Sequence, residues 1–264
     1  MFKRMVTGLM LFAIFVLAVI FDSPINWLAF LMVLACGIGT LEFYSATKVT
    51  KSPFLAIFGV VSSCIIVVSS LFPEVQSYVL IGFLVISLLW LVIRGKTEDT
   101  SLWQWTLAGV IYLGFMLSYV LAVRELDNGI GWVFFIGFAT FANDVFAFFV
   151  GSLWRGKKHL LASNISPNKS IEGAVGGLLG AMILAAIVAW LGGLPISLFW
   201  AALFGLLIGV LAIAGDLIES RFKRYTQIKD ASDALPGHGG VMDRLDSWIL
   251  AFPVGYLILI LFVV

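Results

Sequence analysis

The sequence predicts an all-α fold, a polytopic integral membrane protein with about nine transmembrane helices. Three observations predict it. Of 264 residues, 61% are hydrophobic and 12% charged, whereas a soluble domain carries roughly 25% charged residues. Mean hydropathy is +1.09. Apolar runs near the spanning length of about 20 residues recur along the whole chain, near 5–21, 26–46, 54–72, 77–93, 102–123, 129–150, 173–191, 197–217 and 247–263.

The first run follows Lys3 and Arg4, as in a secretion signal. No small-x-small cleavage site precedes Asp22-Ser23-Pro24, so it reads as an uncleaved span. The next four runs, to about residue 125, have short links and few ionisable groups, Glu42 being the exception. They are expected to be mainly scaffold. The sixth run carries Asn143 and Asp144 and leads into a polar loop over 151–172. The seventh opens GAVGGLLG, and the eighth holds Gly205 and Gly209. Small residues four apart let helix backbones approach closely, so these glycines are expected to pack spans. The eighth run ends at Asp216 and passes into the polar segment Ser220–Asp246 before the ninth. With no internal repeat or low-complexity linker, residues 1–264 read as one membrane domain, with 126–264 the catalytic half.

Net charge is +1, so nothing advertises a polyanion, and no nucleic-acid partner is expected. The distribution of charge says more. With a cytoplasmic N-terminus, nine alternating spans place 15 of the 16 Lys and Arg residues inside, leaving only Arg124 outside. That asymmetry fixes orientation. It puts both polar loops on the cytoplasmic face and the C-terminus outside. Cys36 and Cys64 fall within spans and lack ligand spacing, so they read as packing residues.

The stretch SRFKRYTQIKDASDALPGHGGVMDRLD, Ser220 to Asp246, is the most unusual part of the chain. Cations, carboxylates and a glycine-rich turn are interleaved at a membrane face. If the eighth helix continues past the membrane, Asp216, Ser220, Lys223 and Gln227 share one face. Asp243 and Asp246 line up similarly at the start of the ninth span. A carboxylate at membrane depth is costly and normally has a partner or a wet cavity. Mg²⁺ takes carboxylate and phosphate oxygens, which Asp216 and Asp243 would supply from facing helices. Structural pairing with Arg221, Arg224 or Arg244 would account for these acids equally well. Lys223, Arg224, Lys229 and Arg244 suit a phosphate clamp, although an anchor to anionic head groups uses the same charges.

Pro236-Gly237-His238-Gly239-Gly240 reads as a turn whose N–H groups approach phosphate oxygens. A helix starting after it would aim its positive end at the same anion. His238 is expected to donate to a phosphate, not to act as a general base. Asp144 is expected in or near the polar cavity, since its span leads into Arg155, Lys157 and Lys158. In the following loop Ser166-Pro167 reads as a turn start, Lys169 or Ser170 as a phosphate ligand, and Glu172 as a cap on the seventh span. GxxxxGK[ST], HExxH and GxSxG are absent, which removes the commonest nucleotide-hydrolase, zinc-protease and serine-hydrolase readings. A transporter would also use intramembrane acids, but paired short hydrophobic segments are not seen.

Read as Ser220-x-Phe222-Lys223-Arg224-x₄-Lys229-Asp230-x-Ser232-x₂-Leu235-Pro236-x-His238-Gly239-Gly240-Val241-x-Asp243-Arg244-Leu245-Asp246, the stretch resembles the signature of phosphatidate cytidylyltransferases, or CDP-diacylglycerol synthases. The likeness covers roughly the C-terminal half. It departs at Asn168, Ser170 and Ile171, where that family often has Lys, Thr and Trp. The resemblance implies Mg²⁺-dependent transfer of a cytidylyl group from CTP to phosphatidate, releasing pyrophosphate, with room for a second cation. It implies Lys223, Arg224, Lys229, Asp230, His238, Arg244 and Asp246 as catalytic. Asp144, Lys157, Ser166, Lys169, Ser170, Ser220, Gly239 and Gly240 would bind substrate, and Asp216 and Asp243 the metal. Membrane lipids are expected partners, a bacterial plasma membrane the location, and a homodimer is one assembly left open. The alternatives are a CTP-dependent kinase or cytidylyltransferase acting on an isoprenoid lipid, or a transporter.

Overall fold

The computed structural model of the chain describes residues 2–21, 26–94, 100–154, 159–162, 165–232, 234 and 239–263. Its helices fall where the apolar runs lie. They are α1 (Phe2–Ile20), α2 (Trp27–Ala46), α3 (Pro53–Ser69), α4 (Pro73–Arg94), α5 (Thr100–Gly109) and α6 (Met116–Arg124). After these come α7 (Gly129–Leu153), α8 (Ile171–Leu191), α9 (Leu198–Thr226) and α10 (Met242–Phe262). A π-helical stretch, Val110–Phe115, joins α5 to α6, so that Thr100–Arg124 crosses as one rod. Among the described residues, seven helices are long and apolar enough to cross a membrane, and two shorter apolar helices, Met10–Ile20 and Pro53–Ser69, stand at the first and third expected runs. The chain is a polytopic membrane protein, built with every span helical because lipid offers backbone groups no partners.

Among the described residues, one two-stranded element is not helical. Strands β1 (Leu160–Ala162) and β2 (Ser166–Ser170) pair antiparallel, Leu160 opposite Ser170. The expected turn at Ser166-Pro167 instead falls ahead of it, where the Ile165 N–H donates to the Ala162 carbonyl at 3.0 Å. Pro167 is tolerated because a two-stranded ribbon leaves edge N–H positions unneeded.

The residues form two compact units, Met1–Ala122 with Ile228–Arg244, and Val123–Gln227 with Leu245–Val264. The first division lies close to the change of character near residue 125. The segment Ile228–Arg244, grouped by sequence with the catalytic half, packs with the first unit. In that unit Tyr44 is fully buried and its hydroxyl donates to the Thr106 carbonyl at 2.8 Å. Gly59 and Gly109 make room for its ring, which a Cβ at either position would strike.

In the second unit α8 lies on α7 along its glycines. A Cβ on Gly176 would meet Val150, one on Gly177 would meet Asn143, and one on Gly180 would meet Phe146. Gly205 of α9 does the same against Ala181 and Ala185 of α8. These small-residue contacts are the packing that the GxxxG spacings predict. Both cysteines are free thiols.

Candidate active site

The second unit gathers acids at the polar end of α9. The helix runs past its apolar stretch to Thr226, as a shared face for Asp216, Ser220 and Lys223 requires. Gln227 leaves that face: it closes the helix in the left-handed region at φ 59, its N–H directed at the Lys223 and Arg224 carbonyls. Asp216 and Glu219 are one turn apart, and Asp246 comes from α10. Carboxylate oxygens of Asp216, Glu219 and Asp246 lie within 4.8 Å of one another. Glu219 and Asp246 are buried. Gly215 is what allows the approach. A Cβ there would collide with the Asp246 carbonyl oxygen and crowd the Ser247 backbone.

Two ammonium groups face these three carboxylates. Lys169, at the end of β2, pairs with Asp216 Oδ2. Lys223 Nζ donates to Glu219 Oε2 at 3.1 Å. Asp216 therefore pairs with Lys169, and the expected structural alternative had named Arg221, Arg224 or Arg244. Ser220 Oγ donates to Asp216 Oδ1 at 3.3 Å. Asp144 of α7 is within electrostatic reach of Asp216, Asp246 and Lys169, and Asn143 Nδ2 donates to its Oδ1 at 3.4 Å.

Several residues expected to bind substrate hold the hairpin in place. Ser170 is buried, and its Oγ caps α8 by accepting from the Gly173 N–H at 3.1 Å. Glu172 stands in the first turn of α8, at its positive end as expected, and also accepts from the His159 backbone N–H at 3.2 Å and lies 2.7 Å from His159 Nδ1. Arg224 Nε donates to the Ile165 carbonyl at 3.3 Å, tying the end of α9 to the hairpin turn. Ser166 opens β2 on the same hairpin.

The first unit holds the rest of the polar segment. Lys229 and Asp230 are exposed, and Arg244 is exposed on the first turn of α10. Asp243 Oδ2 accepts from the N–H of Gly240 at 2.8 Å and of Ala231 at 3.2 Å. Gly239 adopts φ +80, a left-handed backbone that favours glycine. Asp216 and Asp243, expected together as metal ligands, belong to different units.

Two buried acids, one in each unit, escaped the sequence reading. Glu219 was not singled out, although it lies three residues after Asp216 and four before Lys223. Glu42 was noted only as a lone acid in the scaffold.

The donor set of Asp216, Glu219 and Asp246 is all oxygen, which suits a hard divalent cation. Lysines beside carboxylates at a helix end suit phosphate groups arriving with such an ion. A family model described as the cytidylyltransferase family matches residues 2–262. The chain belongs to the cytidylyltransferase family.

Among its relatives, this family member is 39% identical over 153 residues to a phosphatidate cytidylyltransferase of Bacillus subtilis, an alignment covering 58% of this chain and 56% of that protein. It is 32% identical to one of Synechocystis over 59% of this chain and 61% of that protein. The chain thus spans somewhat under two thirds of these two relatives. The alignment with one of Chlamydia pneumoniae, 31% identical, covers 86% of this chain and 80% of that protein. Within this cytidylyltransferase-family chain, His238 and Lys157 lie outside the described residues.

Proposed function

We propose that the chain transfers the cytidylyl group of CTP to phosphatidate, giving CDP-diacylglycerol and pyrophosphate at the cytoplasmic face of a bacterial plasma membrane. The observation that carries this reading is the cluster of Asp216, Glu219 and Asp246 with Lys169 and Lys223 at the polar end of a span. Family membership and the relatives' names support the choice of substrates.

A phosphate oxygen of the lipid attacks the α-phosphorus of CTP. The bond from that phosphorus to the oxygen bridging to the β-phosphate breaks, and pyrophosphate leaves with the electron pair. The attacking monoester has a second pKa of about 6 and is largely dianionic at neutral pH, so no strong general base is needed. The difficulty is repulsion between two anions. Asp216, Glu219 and Asp246 would hold Mg²⁺, which when bound neutralises phosphate charge. Lys169 and Lys223 would exchange their carboxylate partners for phosphate oxygens and stabilise the departing pyrophosphate. Asp243 as an additional ligand, and a second cation, belong to the same proposal.

The test is incubation of purified protein in detergent with labelled CTP, phosphatidate and Mg²⁺. CDP-lipid with equimolar pyrophosphate is expected. CDP with a newly phosphorylated lipid would replace this reading by a lipid kinase, and no nucleotide turnover would replace it by a transporter.

A further inference from the structure

Glu42 lies on α2, within the scaffold spans, yet it is 6% exposed and faces a segment about 190–200 residues further along the chain. Its Oε1 accepts from Ser232 Oγ at 2.5 Å and from the Val241 N–H at 3.0 Å. Its Oε2 accepts from the Met242 N–H at 2.8 Å. In the sequence Ser232 lies before the glycine-rich stretch and Val241 after it. One carboxylate therefore joins Ser232 to Val241 and Met242 and caps the start of α10. Gly240 lies against it so closely that a Cβ would come within 2.7 Å of Glu42 Oε2.

A buried carboxylate in a span is costly unless donors meet it. Here two backbone N–H groups at a helix N-terminus and one hydroxyl supply them, and the helix dipole favours the negative charge. A local Ser, Thr, Asp or Asn ordinarily does this job. Supplying it from a distant span makes the course of the segment depend on α2. The second clasp, Asp243 on Ala231 and Gly240, is drawn on the same strands of chain. Each contact of Glu42 stands next in the chain to one of Asp243: Ser232 follows Ala231, and Val241 follows Gly240.

We propose that Glu42 is a positioning residue: it holds Ser232, Val241 and Met242 in the places that the transfer reaction uses, without touching substrate. Its kinetic part rests on the function proposed above, and its geometric part does not.

Glu42→Gln keeps size but replaces one acceptor oxygen by an NH₂ group that faces an N–H or hydroxyl donor. Amide exchange of the 239–246 peptide, followed by mass spectrometry in detergent, should quicken by about tenfold or more, the order set by losing such hydrogen bonds. Exchange in α7, α8 and α9 should stay as in the parent protein. Turnover of CTP with phosphatidate should fall about tenfold or more, with KM for CTP changed far less, and Glu42→Asp should recover part of it. Ser232→Ala, which removes a single partner, should show the same local quickening to a smaller degree and guards against a misfolded Glu42→Gln. Unchanged exchange over 239–246 in both variants overturns the proposal, as does turnover that survives despite the quickening. If the parent protein turns over no CTP, the function fails, while the exchange result still decides whether Glu42 holds the segment.

Discussion

Lys169 and Asp216 form an ion pair that links the end of a β-hairpin to the polar end of a span. Both side chains are partly exposed, at 25% and 31%, so phosphate and metal have access to them. On the function proposed above, the pair is a resting arrangement in which each member holds the place that a substrate oxygen or a cation would take.

A double-mutant cycle tests that arrangement. Lys169→Ala and Asp216→Asn should each lower turnover by about tenfold or more, and the double variant should be little worse than the poorer single one, because groups sharing one interaction are not additive. Losses that simply multiply would mean the two act independently and the pair is incidental.

Carboxylate removal separates metal ligands from clasps. Asp216→Asn, Glu219→Gln and Asp246→Asn should each raise the Mg²⁺ concentration for half-maximal turnover severalfold, since a hard cation's affinity follows the ligand charge. Chelation with EDTA should abolish turnover, and added Mg²⁺ should restore it. Near-normal Mg²⁺ dependence in all three variants would make the cluster a structural network.

Asp243 calls for a different experiment, because its Oδ2 already serves the Ala231 and Gly240 N–H groups. Asparagine retains one oxygen that can accept both bonds while removing the charge. Asp243→Asn should therefore lose turnover while exchange at those amides stays slow. Retained turnover would confine Asp243 to holding its own loop.

Much of this was legible in the sequence because membrane spans announce themselves. Each helix falls on an apolar run, since lipid demands length and apolarity together. Asp216, Asp246, Lys169 and Lys223 stood out as ionisable groups beside such runs. What stayed hidden was partnership over distance. Nothing local to Glu42 reveals Val241 and Met242 as its partners, because the pairing is set by how α2 packs. The hairpin was missed for a related reason. Its strands are too short to show alternation, and Ser166-Pro167 carries a turn signal that the ribbon edge overrides. Ser170 joins Glu172 at the start of α8 because a short hydroxyl one residue before the helix reaches the N–H three residues on.

Gly215 offers a test of how closely the site is built. Its Cβ would meet backbone of Asp246 and Ser247, which cannot swing aside as a side chain can. Gly215→Ala should push α9 from α10, cost about 1–3 kcal/mol in stability, and reduce turnover by separating Asp216 from Asp246. Gly82→Ala is the control. A Cβ there meets nothing within 4 Å, and alanine favours a helix by about 1 kcal/mol, so stability should hold or rise. Equal behaviour of the two variants would show that the α9–α10 approach does not matter.

Orientation decides whether the polar ends described here face the compartment that holds CTP. The cationic asymmetry predicts Lys48 and Lys229 inside and Asp127 outside, and all three are exposed in the structure. Cysteines introduced singly at these positions, with Cys36 and Cys64 replaced by Ser, should react with a membrane-impermeant maleimide from one side only. In intact cells Asp127→Cys should label, whereas Lys48→Cys and Lys229→Cys should label only after the membrane is opened. The driving force is the cost of carrying Lys and Arg across the bilayer during insertion, which a lone Arg124 on the far side does not outweigh. Labelling of Lys229→Cys in intact cells would put the Ser220–Asp246 stretch outside and remove its access to CTP. The proposed transfer could not then run at that face, whatever the geometry of its carboxylates.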